Sequence, residues 1–121
     1  MALLITGGAG FIGSALIKHL NEDGHEVYVI DNLSFGNRDF VDIPDDRFYQ
    51  EDILDRAKMF ELVEAINPSW VIHLAAVHFI PYCNQHPFES SNINIQGTIN
   101  MYDACKNVGS VEKVFFASTA A

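Results

Sequence analysis

Thr6-Gly7-Gly8-Ala9-Gly10-Phe11-Ile12-Gly13 is the stretch that decides the fold. Its glycines at 7, 10 and 13 recur every third residue, directly after the short, mostly apolar run Ala2 to Thr6. That run has the length and composition of a buried strand. Beyond the glycines, Phe11, Ile12, Ala15, Leu16, Ile17 and Leu20 fall on one helical face. The spacing predicts a helix over residues 11–21, stopped by Gly24. In a strand–turn–helix unit each glycine has a physical task. Gly7 permits the tight turn out of the strand. Gly10 lets backbone approach a pyrophosphate with no Cβ in the way. Gly13 lets the helix pack close on the sheet. The helix start then offers free N–H donors and its positive dipole end to phosphates. Residues 26–31 read as a second, β-branched strand that closes on Asp31. An acid there accepts hydrogen bonds from adenosine ribose hydroxyls and repels a 2′-phosphate.

Outward from this unit, strand and helix patterns alternate. Residues 32–46 are polar, with Gly36 and Pro44, and read as a loop. A short third strand is expected over 47–50. Asp55 caps a helix over 56–65 that Asn67-Pro68 ends. Residues 70–74 form a fourth strand and 76–86 a second loop. Pro87 opens a long helix reaching about Asn107, which Gly109 closes. Residues 111–118 hold a fifth strand. Such alternation predicts an α/β fold, a doubly wound parallel sheet of Rossmann type with about five strands and helices on both faces. Right-handed crossovers restrict the order.

The chain has 121 residues, 49% of them apolar, which suits one domain over 1–121. Seven basic residues against 16 acidic ones give a net charge of -9 with no Lys/Arg cluster. Nucleic acid and anionic membrane surfaces are therefore not expected partners. No apolar run reaches the ~18 residues of a membrane helix. The first residues lack the basic n-region of a signal peptide. Cys83 and Cys105 read as free thiols, as in a reducing cytoplasm.

The chain resembles the extended short-chain dehydrogenase/reductases, in particular their NAD-dependent, nucleotide-sugar epimerase/dehydratase branch (UDP-glucose 4-epimerase-like). Five segments after the glycine loop carry the likeness in the family's order. Asp31-Asn32-Leu33 resembles the ribose-binding segment. Asp52-Ile53 is similar to the pair that holds the adenine, with Ile53 packed on the ring. His73-Leu74-Ala75-Ala76 resembles the fourth-strand signature lining the cofactor, and Asn94-Ile95-Gln96-Gly97-Thr98 the helical Asn-x-x-Gly-Thr segment. Phe116-Ala117-Ser118-Thr119-Ala120 resembles the fifth-strand end that bears the active-site hydroxyl. The resemblance covers the whole chain and implies bound NAD, a nucleotide-sugar substrate and transient oxidation at sugar C4. It also implies that the family's catalytic Tyr-x-x-x-Lys follows Thr119. On that reading the chain is truncated after strand five, is inactive alone, and self-associates through strand five and the long helix. The rival readings are a stand-alone NAD-binding module or a redox sensor of the same superfamily.

Taken together, the expected cofactor contacts are Gly7, Gly10, Phe11, Ile12, Gly13, Asp31, Asn32, Ser34, Asp52, Ile53, Leu74, Ala75, Ala76, His78 and Asn94. Thr119 is the catalytic candidate, placed to hydrogen-bond the sugar, while Ser118 points to the other side of the pleat. His73 sits within an apolar strand and is read as structural. His78, Cys83 and His86 match no metal-ligand spacing, so no metal is expected. Tyr102 and Lys106 have the family's catalytic spacing but precede strand five. Tyr102 also lies about 12 Å down the helix from Asn94. The pair is read as a decoy.

Overall fold

The structure, a computed structural model, describes residues 1–118. Five strands, β1 (Ala2–Thr6), β2 (Glu26–Ile30), β3 (Phe48–Tyr49), β4 (Trp70–His73) and β5 (Lys113–Phe116), form one sheet in the order β3-β2-β1-β4-β5. All pairings are parallel, with Thr6 opposite Ile30 on one side and His73 on the other. The order reverses between β1 and β4, so the sheet is wound outward in both directions from β1, as the alternation predicts.

Side chains alternate across the pleat and give each face its own core. Leu4, Ile30 and Val71 meet Met59, Leu62 and Val63 of α2 (Arg56–Ile66) and Met101 and Ala104 of the long helix. Ile5, Val27 and Val29 meet Ile17 of α1 (Phe11–Glu22) together with Val41 and Ile43 of the loop after β2. Both helices stop by expected means. Gly24 takes a left-handed φ of 81° after α1. Asn67 does the same after α2, which Asp55 caps through a bond from the Lys58 amide. No helix among the described residues is long and apolar enough to cross a membrane.

Phe11 and Ile12, expected among the cofactor contacts, are 92% and 68% exposed on the first turn of α1, outside the core that Ile17 enters. Three expectations need correction. The loop expected over 76–86 contains a helix, α3 (Ile80–Gln85). Pro81 lies in its first turn, where no amide hydrogen is required, so this proline starts a helix. The long helix runs as α4 (Pro87–Ser91), a π-helical turn (Asn92–Gly97) and α5 (Thr98–Lys106), with helical backbone at both junctions. The π turn spreads the helix where Gly97 presses on Ile53, whose Cδ1 would overlap a Cβ at position 97. The loop over 32–46 includes two single 3₁₀ turns, Arg38–Phe40 and Asp45–Arg47.

Candidate functional site

A cleft of about 420 Å³ opens at the carboxyl ends of β1, β2 and β4, where the strand order reverses. Ligands bind at this place in open α/β sheets because loops diverge there and helix N-termini converge. The glycine turn forms one wall. Gly7 has a φ of 72°, and a Cβ on it would lie 2.7 Å from the Ala75 amide nitrogen. A Cβ on Gly13 would lie 2.6 Å from the Gly8 Cα. The turn is therefore wedged between the chain leaving β4 and the start of α1. A Cβ on Gly10 would meet only the Gly7 carbonyl, at 3.4 Å, so backbone stands bare at the cleft. The α1 N-terminus has neither a side-chain cap nor an acid in its first turn, which leaves its donors and dipole uncompensated.

Asp31 faces this wall just past β2. Its Oδ2 accepts from the Ala9 amide at 3.0 Å and its Oδ1 from the Leu33 amide at 2.8 Å. The carboxylate is thus aimed by backbone, with lone pairs to spare on both oxygens. Asn32 turns the chain by accepting from Ser34 N at 3.0 Å, and Asp52 accepts from Leu54 N at 2.9 Å. On the far side, Tyr82 donates to Glu89 at 2.6 Å and meets the Phe35 ring edge-on at 5.3 Å. The Glu89 carboxylate holds the Tyr82 phenol above its ordinary value, chiefly through that hydrogen bond.

Gly7, Gly10, Phe11, Asp31, Asn32, Ser34, Asp52, Ile53, Leu74, Ala75, Ala76 and His78 all line the cleft. Ile12, Gly13 and Asn94 do not. Gly13 instead permits the packing of α1 on the glycine turn. The Asn94 side chain is spent on Val77, accepting from its amide at 2.8 Å and donating to its carbonyl at 2.9 Å. It therefore shapes the cleft floor from below. Ile53 is 5% exposed and belongs mainly to the core. Thr119 lies outside the described residues. Tyr102 and Lys106 border a separate shallow groove beside β5, and Lys106 pairs with Asp103 at 3.5 Å. Phe35, Glu51, Tyr82 and Glu89 also line the cleft and were not foreseen from sequence. The signals for the last two are Pro81 and Pro87, which suit the starts of the two helices that carry them.

Among the described residues, no three His, Cys, Asp or Glu side chains come together to hold a metal ion. Both cysteines are free. Burial pushes the Cys105 thiol up to about 11, which makes it a poor nucleophile.

Residues 3–121 match the family model described as "NAD dependent epimerase/dehydratase family". The chain belongs to this family. A UDP-glucose 4-epimerase of Lacticaseibacillus casei is 36% identical over 121 residues, covering 100% of this chain and 36% of the relative. The structure of the Thermus thermophilus UDP-glucose 4-epimerase in complex with NAD superposes with a TM-score of 0.90 at 37% identity. That match covers 98% of this chain and 38% of the other. The Thermotoga maritima enzyme, solved with UDP-glucose, gives 0.89 at 35% identity over 98% of this chain and 38% of its own. The chain thus spans little more than a third of the length of these family members.

Proposed function

We propose that residues 1–121 form the NAD-binding portion of a nucleotide-sugar 4-epimerase or dehydratase whose reaction is transient oxidation at sugar C4. The observation that carries this is the uncapped α1 start behind a bare glycine turn, with the Asp31 carboxylate held against that turn by the Ala9 amide at the edge of the cleft. The cradle fits a dinucleotide in its parts. A side chain at Gly7 or Gly13 would collide with backbone, and one at Gly10 would occupy the cleft wall. Gly10 and the amides of Phe11 and Ile12 would hold the pyrophosphate. Asp31 would accept from the adenosine ribose, with Asn32 and Ser34 beside it. Asp52 and Ile53 would flank the adenine, and Leu74, Ala75, Ala76 and His78 the nicotinamide half. Bound NAD supplies the hydride acceptor, and Thr119 would hydrogen-bond the sugar. The sensor and stand-alone module readings gain nothing from the relatives named above, which are epimerases by name. Two free cysteines suit a cytoplasmic location. Self-association through the long helix and β5 completes the proposal.

Calorimetric titration of the chain with NAD and with NADP tests the cofactor assignment. NAD binds more tightly, because the Asp31 carboxylate meets a 2′-phosphate as like charge and no arginine adjoins it in sequence. Equal or tighter NADP binding overturns it.

A further inference from the structure

We propose that His73 is a positioning residue that, as a neutral imidazole protonated on Nε2, fixes the Ala75–Val77 floor of the cleft through a one-way chain of hydrogen bonds. The proposal rests on the NAD-binding reading only for its effect on ligand affinity.

The ring is 3% exposed and lies between two threonine hydroxyls. Its Nδ1 is 2.6 Å from Thr6 Oγ1 on β1, and its Nε2 is 3.1 Å from Thr98 Oγ1 at the end of the π turn. The outer partners of those hydroxyls set the direction. Thr6 Oγ1 accepts the Ala75 amide at 3.2 Å. Thr98 donates its hydroxyl proton to the Asn94 carbonyl at 2.6 Å, so its oxygen is left as an acceptor for the ring. Nε2 must then carry the proton, and Nδ1 must accept from Thr6. The alternative tautomer would place two N–H donors on Thr6 Oγ1 and leave its hydroxyl proton without a partner. It would also aim the Nε2 lone pair at an oxygen whose proton is already engaged. A doubly protonated ring creates the same conflict at Thr6. Burial favours the neutral form as well.

The chain of donors thus runs from the Ala75 amide through Thr6, His73 and Thr98 to the Asn94 carbonyl. Asn94 closes the path, because its side chain grips both backbone groups of Val77. One imidazole therefore couples β1, β4 and the π turn to two backbone sites on the cleft floor. The coupling also reaches the glycine turn, since Ala75 is the residue a Cβ on Gly7 would strike. A ring that merely filled space would have no reason to be matched at both nitrogens.

Long-range ¹H–¹⁵N spectra of the imidazoles and amide hydrogen exchange of the chain test this directly. The expected His73 signal at neutral pH is the Nε2–H tautomer. Two substitutions separate the arms. His73→Gln keeps a donor near the Nε2 position, so Val77 protection persists while the Ala75 amide exchanges faster. His73→Asn keeps an acceptor near Nδ1, so Ala75 protection persists while Val77 exchanges faster. Each lost arm accelerates its amide by up to about tenfold, the worth of one net hydrogen bond, with Leu4 and Val29 amides in the sheet unchanged. His73→Phe loses both arms and weakens NAD by a similar factor. Thr98→Val, which leaves the ring in place, accelerates Val77 alone and decides the matter if the His73 variants fail to fold. An Nδ1–H or doubly protonated ring overturns the proposal. So does Thr98→Val with Val77 exchange unchanged, or acceleration spread evenly over the sheet. If the unaltered chain binds no NAD, the cofactor reading fails, while tautomer and exchange still judge the relay.

Discussion

Asp31 shows how much a single residue's role depends on what holds it. Two backbone amides, of Ala9 and Leu33, orient its carboxylate before any ligand arrives. Asp31→Asn turns one acceptor into a donor facing one of those amides, so either the Ala9 or the Leu33 amide loses its bond along with the charge. NAD affinity is expected to fall roughly tenfold or more, in line with a charge-assisted hydrogen bond, and NADP to lose less. Calorimetry with both cofactors reads the difference. His73 sets the pH response. Burial lowers its pKa from 6.5 to about 4, so between those values the unfolded chain binds a proton that the folded chain refuses. Its contribution to stability is therefore complete above pH 6.5 and lost as pH falls toward 4. The loss approaches about 3 kcal/mol. Denaturant midpoints measured from pH 7 to 4 should fall in this window, and His73→Gln should flatten that part of the profile. A wild-type profile that is flat there contradicts the assignment.

At the level of elements, the π turn is the least ordinary feature, and Gly97 is its weak point. A methyl at 97 collides with the Cδ1 of Ile53, which is closed into the core. Overpacking costs about 1–3 kcal/mol, while alanine in place of a helical glycine returns up to ~1. Gly97→Ala is thus expected to lower thermal stability by a few degrees, and Ile53→Val in the same chain to recover part of it. A Gly97→Ala variant as stable as the parent, in thermal melts followed by circular dichroism, would mean that Ile53 moves aside freely. Sequence patterns captured the elements whose period is undisturbed. The bounds of β1 and the caps at Asp55 and Asn67 needed only local chemistry. The glycine turn and Asp31 were legible because their tasks fix residue type and spacing. The π turn was not, because it shifts the helical phase, and Ile53, on which its Gly97 packs, is distant in sequence. Helix α3 lies inside the stretch 76–86 read as a loop, being too short to show a helical period. Periodicity puts Phe11 and Ile12 on the apolar face of α1 without saying whether that face meets a core or a cleft, so their reading as cofactor contacts comes from the glycine motif and not from the period. Tyr82 and Glu89 enter the site from segments whose position only the tertiary fold determines.

At the scale of the whole molecule, the apolar surface outside the cleft bears on association. Along the continuous α4–π–α5 helix, Phe88, Ile95, Ile99 and Tyr102 are all exposed, Phe88 by 85%. Beside that helix β5 is an edge strand of the described sheet, with Phe115 and Phe116 about half exposed. Trp70 and His73 cover one side of those rings, at 5.5 and 6.1 Å between centroids, so the outward side is what water meets. The four helix side chains and Phe116, which shares the helix face of the sheet while Phe115 turns to the other face, amount to several hundred Å², the size at which a monomer's surface usually becomes an interface. The unpaired strand edge adds backbone donors and acceptors to the same region. Opposing this is the net charge of -9, whose repulsion is screened beyond about 8–10 Å at physiological salt. Apolar burial at short range is not screened, so association is expected to prevail and to strengthen with added salt. Sedimentation velocity across a concentration series should show growth in mean mass, greater at 0.5 M than at 0.05 M NaCl. Ile95→Lys with Ile99→Lys, set in the middle of the exposed helix face, should restore a monomer without altering NAD affinity. A chain that stays monomeric at millimolar concentration and high salt would show that these side chains are tolerated in water, and the self-association proposal would be withdrawn.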